Sequence, residues 1–106
     1  MEMHNPRMEK IQQMLNHSPD DLFLIYALGM EYVGHSDLIA AAIQFRKVLD
    51  KDHTYVPAYY QLGLILQEQG HEKEAKEIIA KGLSEASEKK DTRTINEFRS
   101  LLEENG

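Results

Sequence analysis

Five histidines and eighteen carboxylates are the side chains best placed to do chemistry here, because the chain has no cysteine. His17, His35, His53 and His71 all fall at expected turns, and His4 lies near the N-terminus. His35 and His71 occupy corresponding turns, so normal helix packing would set them on one edge about 8–10 Å apart. Zinc holds its nitrogen ligands at about 2.0–2.1 Å. That pair cannot share a metal without rearrangement, and no HExxH motif or thiolate supports it. The histidines read as solvated loop residues, and neither a metal nor a cofactor is expected. Ser18 and Ser36 fall at expected caps, while Ser84, Ser87 and Ser100 lie on polar helix faces. None sits in a G-x-S-x-G turn, and no glycine-rich phosphate loop is present. Asp20-Asp21 belongs to a helix start and Asp50/Asp52 to a turn, so neither pair has the apolar burial that tunes an acid–base couple. No catalytic residue is assigned, and the chain is expected not to be an enzyme.

Composition narrows the remaining classes. A length of 106 residues suits one domain, taken as residues 1–106. Twelve Lys and Arg against eighteen Asp and Glu leave a net charge of −6. Nucleic-acid binding needs a basic footprint, and anionic lipid attracts basic segments; neither partner is expected. No apolar run approaches the length of a membrane span. The opening MEMHNPRMEK lacks the apolar core of a signal peptide. A soluble cytoplasmic domain is the expectation.

Helical punctuation runs down the chain. Asn5-Pro6 is a cap followed by proline at the first helical position, and Met8, Ile11, Met14 and Leu15 follow at helical spacing. This predicts a helix over about 6–16. Ser18-Pro19-Asp20-Asp21 predicts a second start, with Ser18 as cap and the acids on the positive helix end. That helix should reach about Tyr32. Ser36-Asp37 opens a third, Thr54 a fourth that tolerates Pro57 and ends at Gly70, and His71-Glu72 a fifth. A last helix over about 91–104 holds Ile95, Phe98, Leu101 and Leu102. No stretch alternates with a period of two, so the fold class is all-α.

A longer period overlies these elements. Gly29 and Gly63 lie 34 residues apart, as do Ala41 and Ala75, Phe45 and Ile79, Leu28 and Leu62, and Ile25 and Tyr59. A helix–turn–helix unit of this length is a solenoid signature. Glycine inside a helix costs about 1 kcal/mol relative to alanine. Close approach of the paired helix would offset that cost. Ala41 and Ala75 are the small residues expected to face the two glycines, with Phe45, Ile79, Tyr32 and Leu66 beside the contact.

The stretches Ile25-x2-Leu28-Gly29-x2-Tyr32…Ala41-x3-Phe45 and Tyr59-x2-Leu62-Gly63-x2-Leu66…Ala75-x3-Ile79 resemble the tetratricopeptide repeat. Residues about 22–55 and 56–89 match two consecutive repeats. Pro19 falls where the family's inter-repeat proline would close a preceding unit, whereas His53 and Ser87 depart from that pattern. The resemblance implies a right-handed α-solenoid of two helix–turn–helix repeats, capped at its N-terminal end by the helix at 6–16 and at its C-terminal end by that at 91–104.

A second apolar stripe carries the functional expectation. Phe23, Tyr26, Met30 and Val33 recur at spacings of 3, 4 and 3 on a face of the second helix distinct from Ile25, Leu28 and Gly29. The fourth helix repeats the pattern with Pro57, Tyr60 and Leu64, then turns polar at Gln61 and Gln67. The resemblance implies that such first helices line a concave surface that binds extended or helical peptides. The expected partner-binding residues are Phe23, Tyr26, Met30, Tyr60, Leu64 and Gln67. Aromatics with a methionine compose an adaptable contact surface. The family's alternative, a basic clamp for an acidic C-terminus, needs Lys, Arg and Asn where this chain has Tyr26, Met30 and Gln61. Two placements stay open at this point. The N-terminal helix could lie across Phe23 and Tyr26 and make them core, or the stripe is exposed. If exposed, it serves another protein or peptide, or pairs with itself in a homodimer.

Overall fold

A computed structural model of the protein describes residues 5–104. Six helices follow in order: α1 (Pro6–His17), α2 (Leu22–Gly34), α3 (Leu38–Lys51), α4 (Val56–Glu68), α5 (Glu72–Glu88) and α6 (Thr92–Glu104). No strand occurs among the described residues, so the fold is all-α. No helix among them is long and apolar enough to cross a membrane. The chain forms two compact units, one closing at Lys51 and the other opening at Asp52. His4 and Gly106 lie outside the described residues.

Side chains supply the acceptors that the free backbone N–H groups of helix starts require. Asn5 Oδ1 accepts the Met8 N–H at 3.1 Å, with Pro6 in the first turn. Asp21 Oδ1 accepts the Leu24 N–H at 3.1 Å and Asp37 Oδ1 the Ala40 N–H at 3.2 Å. The α2 cap is therefore Asp21 rather than Ser18, and Pro19 lies in the preceding turn. A carboxylate outcompetes the hydroxyl because it also complements the positive helix end. Thr54 does not open α4 either. Tyr55 is the cap residue there, without a side-chain bond, and the Thr54 hydroxyl instead donates to Asp52 at 2.6 Å.

Three turns share one closing geometry. The Asp37 N–H donates to the Tyr32 carbonyl at 2.9 Å, that of His71 to Leu66 at 2.9 Å, and that of Asp91 to Ala86 at 3.1 Å. Each bond needs a left-handed residue just before it. Those residues are Ser36 (φ 60°), Gly70 (φ 81°) and Lys90 (φ 55°). Glycine adopts that conformation without steric cost, whereas a residue with a Cβ is strained.

Unit 1 packs α1 on α2 and α2 on α3. Its core is Leu24, Ile25, Leu28, Ala41, Phe45 and Val48. Unit 2 packs α4 on α5 and α5 on α6 around Tyr59, Leu62, Leu66, Ile79 and Phe98. The paired glycines are buried, and the side chain that comes nearest each is Phe45 or Ile79 rather than the alanine expected. A Cβ on Gly29 would lie 2.7 Å from Phe45 Cε1, and one on Gly63 would lie 2.7 Å from Ile79 Cγ1 with no Ala75 atom within 4 Å. The glycines therefore open a slot for a large side chain one turn beyond each alanine. Ala41 and Ala75 are buried as well, as small residues of the same interfaces.

A third seat has no counterpart in the 34-residue pattern. A Cβ on Gly82 would meet Phe98 Cε1 and Cζ at 2.6 Å and Tyr59 Cβ at 2.7 Å. It is closed on two sides, and Tyr59 Cβ cannot swing away from its own backbone. Overpacking costs about 1–3 kcal/mol, against about 1 kcal/mol of helix propensity gained. Gly82→Ala should therefore lower stability by up to about 2 kcal/mol in urea unfolding. Gly34→Ala, with nothing within 4 Å of its Cβ, should leave stability unchanged or raise it. Equal midpoints for the two variants would disprove the seat. Relief of the left-handed strain at Ser36 predicts that Ser36→Gly raises stability by about 0.5–1 kcal/mol in the same assay.

Candidate partner-binding face

The α2 helix divides its side chains cleanly. Leu24, Ile25, Leu28 and Gly29 are buried, while Phe23 is 70% exposed and Tyr26 and Met30 are half-buried on another side. The exposure of Phe23 settles one placement left open above: α1 does not lie across it. Instead α1 reaches the far end of α2, where Arg7 pairs with Glu31 at 3.5 Å and Asn5 Nδ2 lies 2.6 Å from His35 Nε2. Tyr26 is half-buried because its ring packs on Phe45 of α3, with centroids 5.4 Å apart and planes inclined at 53°.

In unit 2, α4 presents Pro57 and Leu64 to solvent, with Tyr60, Gln61 and Gln67 half-buried. The Tyr60 ring meets Phe98 of α6 edge-on, at 5.5 Å and 77°. Gln67 Nε2 donates to the Leu101 carbonyl at 3.4 Å. Gln67 is therefore partly committed to holding α6, a role that sequence spacing did not disclose. Leu64, at 36% exposure, is the most accessible large apolar side chain of α4.

Two lysines fix the turns from which these helices start. Lys51, at the end of α3, pairs with Asp20 in the turn before α2. Lys89, after α5, donates to the Thr54 carbonyl in the turn before α4. Asp20 and Thr54 stand 34 residues apart, so the period already marked them as equivalent. Only folding shows that a lysine reaches each. The second turn has further ties. The Tyr59 hydroxyl donates to the His53 carbonyl at 2.6 Å, and His53 Nδ1 lies 3.7 Å from a Glu85 oxygen. Burial pushes the Tyr59 phenol up, and the Glu85 and Asp52 carboxylates add to that shift.

Other features offer less. Unit 1 also exposes Ile39 and Ile43, one turn apart on the side of α3 opposite Ala41 and Phe45. An open cleft of about 630 Å³ between α1 and α3 has Leu15, Ile25 and Leu28 in its wall. Its rim carries Asp20, Lys47, Asp50 and Lys51, charges of both signs without a convergent catalytic group. Among the described residues no three His, Asp or Glu side chains converge on a metal position.

The turn before α4 gives a pH-dependent expectation. The Thr54 hydroxyl, then the Thr54 N–H, hold the Asp52 carboxyl below its ordinary value of 3.8. A group with a depressed native pKa contributes stability above its unfolded pKa and loses it as pH falls through the native value. Removing the hydroxyl in Thr54→Val should raise the Asp52 pKa toward 3.8 in an NMR titration. An unchanged Asp52 titration would show that the hydroxyl bond is not formed in solution.

Comparison with known proteins agrees with this architecture. A family model for the tetratricopeptide repeat matches residues 45–77. The crystal structure of a tetratricopeptide repeat domain protein from Salinibacter ruber is 27% identical, with a TM-score of 0.73 over 78% of this chain and 93% of that one. A solution structure of a tetratricopeptide repeat domain protein from the same organism gives 28% identity and 0.72, covering 78% of this chain and 84% of that one. The solution structure of a Bordetella parapertussis protein is 32% identical, with a TM-score of 0.79 over 97% of this chain and 92% of that one. No curated protein sequence matches. Six helices and no strand among the described residues, an internal period of 34 residues and these likenesses place the chain in the tetratricopeptide repeat family, with the all-α helical-repeat fold.

Proposed function

We propose that this chain is a non-catalytic interaction module that docks an apolar or helical segment of another protein on the first-helix faces. The family fold is in general that of a protein–protein interaction module. In this reading, residues 22–55 and 56–89 are the two repeats, and α1 and α6 cap them. Phe23, Tyr26 and Met30 act on α2, and Tyr60, Leu64 and Gln67 on α4. The observation that carries the reading is Phe23, an aromatic ring 70% exposed at the head of a helix whose other side is core. A ring left in water there gains by burial against a partner. Tyr26 and Tyr60, each braced by a buried ring, add contact area at little entropic cost. The absence of cysteine accords with a cytoplasmic setting, and the charge of −6 disfavours nucleic acid.

The braced tyrosines are poor test positions, because truncating them disturbs Phe45 and Phe98. Phe23→Ser combined with Leu64→Ser is better, since surface changes usually stay within about 0.5 kcal/mol of stability. The double variant should melt like the parent yet bind its partners at least about tenfold more weakly, a loss of about 1.4 kcal/mol. Quantified capture of co-purifying proteins reads this directly. Full retention by a folded double variant would move the site elsewhere, with Ile39 and Ile43 the next surface to test. Sedimentation of the purified chain separates the homodimer form of the reading: self-association lost in the same variant assigns the faces to a second copy.

A further inference from the structure

Charge is distributed unevenly around these faces. All twelve Lys and Arg fall on α1, α3, α5, α6 and the turn before α6. Neither α2 nor α4 carries a single basic residue or histidine; α2 has only Glu31, and α4 only Glu68. Glu31 already meets Arg7 at 3.5 Å. Glu68 is exposed one turn beyond Leu64, on the same side of α4. At the head of α2 the exposed Asp21 carboxylate lies two residues before Phe23. Asp20 beside it is taken by Lys51. The α4 stripe thus ends on an exposed carboxylate, and the α2 stripe starts two residues after one that caps its helix, within a chain of net charge −6.

An acidic segment would find no cation on either helix and would approach against the field of the whole protein. A segment with Lys or Arg beside its apolar residues meets Glu68 on the α4 face or the Asp21 carboxylate at the head of α2, and the net charge speeds its approach. We infer that the faces of α2 and α4 select a cationic amphipathic helix, with apolar residues at helical spacing and Lys or Arg flanking them. This rests on the docking reading above and adds the partner's charge to it. Phe23 to Met30 spans about 10 Å of helix, so two turns of such a segment suffice to cover the α2 stripe.

The test uses two labelled synthetic peptides of one pattern, LKKLLKLLKKLLKL and LEELLELLEELLEL, with fluorescence anisotropy at low and moderate salt. The lysine peptide should bind at least about tenfold more tightly than its glutamate counterpart. Phe23→Ser/Leu64→Ser should weaken it at least about tenfold. Asp21→Asn/Glu68→Gln, which keeps the α2 cap, should weaken it about two- to fivefold, an effect that shrinks as salt rises. Equal affinities for the two peptides, with the Phe23/Leu64 variant still impaired, would overturn the charge preference and leave the docking face standing. Lysine-peptide binding indifferent to the Phe23/Leu64 variant would overturn the docking face itself, because the attraction would then be diffuse. Failure of the lysine peptide to bind at about 1 mM, where only about 4 kcal/mol of binding is needed, would also overturn the inference.

Discussion

A large side chain seated on a glycine's bare backbone recurs three times: Phe45 on Gly29, Ile79 on Gly63 and Phe98 on Gly82. Each glycine gives up about 1 kcal/mol of helix propensity. Full burial of the incoming side chain returns about 1.5–3 kcal/mol, so the exchange favours packing. Phe45, Ile79 and Phe98 are fully buried. The seats also reach the surface. Phe45 supports the ring of Tyr26 and Phe98 that of Tyr60, so core packing in each unit fixes an aromatic on the proposed docking face.

The turns impose the second constraint. A first helix presents its apolar side usefully only if its starting point is held. A lysine from the end of the following helix, or just beyond it, holds the turn in both units, at Asp20 through a carboxylate and at Thr54 through a carbonyl. Exposed ion pairs of this kind contribute little stability. Their effect is positional. The turn before α4 is tied more fully, because Tyr59 replaces the Ile25 of the earlier unit and brings a hydroxyl to the His53 carbonyl.

Apolar exposure is concentrated where these constraints leave a side chain without an inward direction. Phe23 stands exposed at the head of α2, and Leu64 is exposed beside the buried Gly63. The same division leaves α2 and α4 without basic residues, since those helices have no wholly solvated side on which lysine would be placed. Helices α3, α5 and α6 carry such sides and most of the lysine and arginine. Face chemistry and charge distribution thus share one origin in burial.

All six helices, their order and the equivalence of the two halves were legible in the residues, because caps, periodicity and a fixed offset are local or repeated signals. The starts expected at Ser18 and Thr54 fall slightly early, since Asp21 takes the first cap and Asp52 engages the Thr54 hydroxyl. That Phe45 and Ile79, rather than the alanines, come nearest the glycines was not legible, nor were the Gly82 seat, the lysine latches and the tie from Gln67 to α6. Each depends on how deeply and at what register two helices cross, which residues distant in sequence decide together. The chain by itself therefore determined which segments are helical and which sides are apolar. Tertiary packing alone decided which apolar side chains fill a glycine slot and which, like Phe23, remain in water, because burial is a property of the neighbour as much as of the residue.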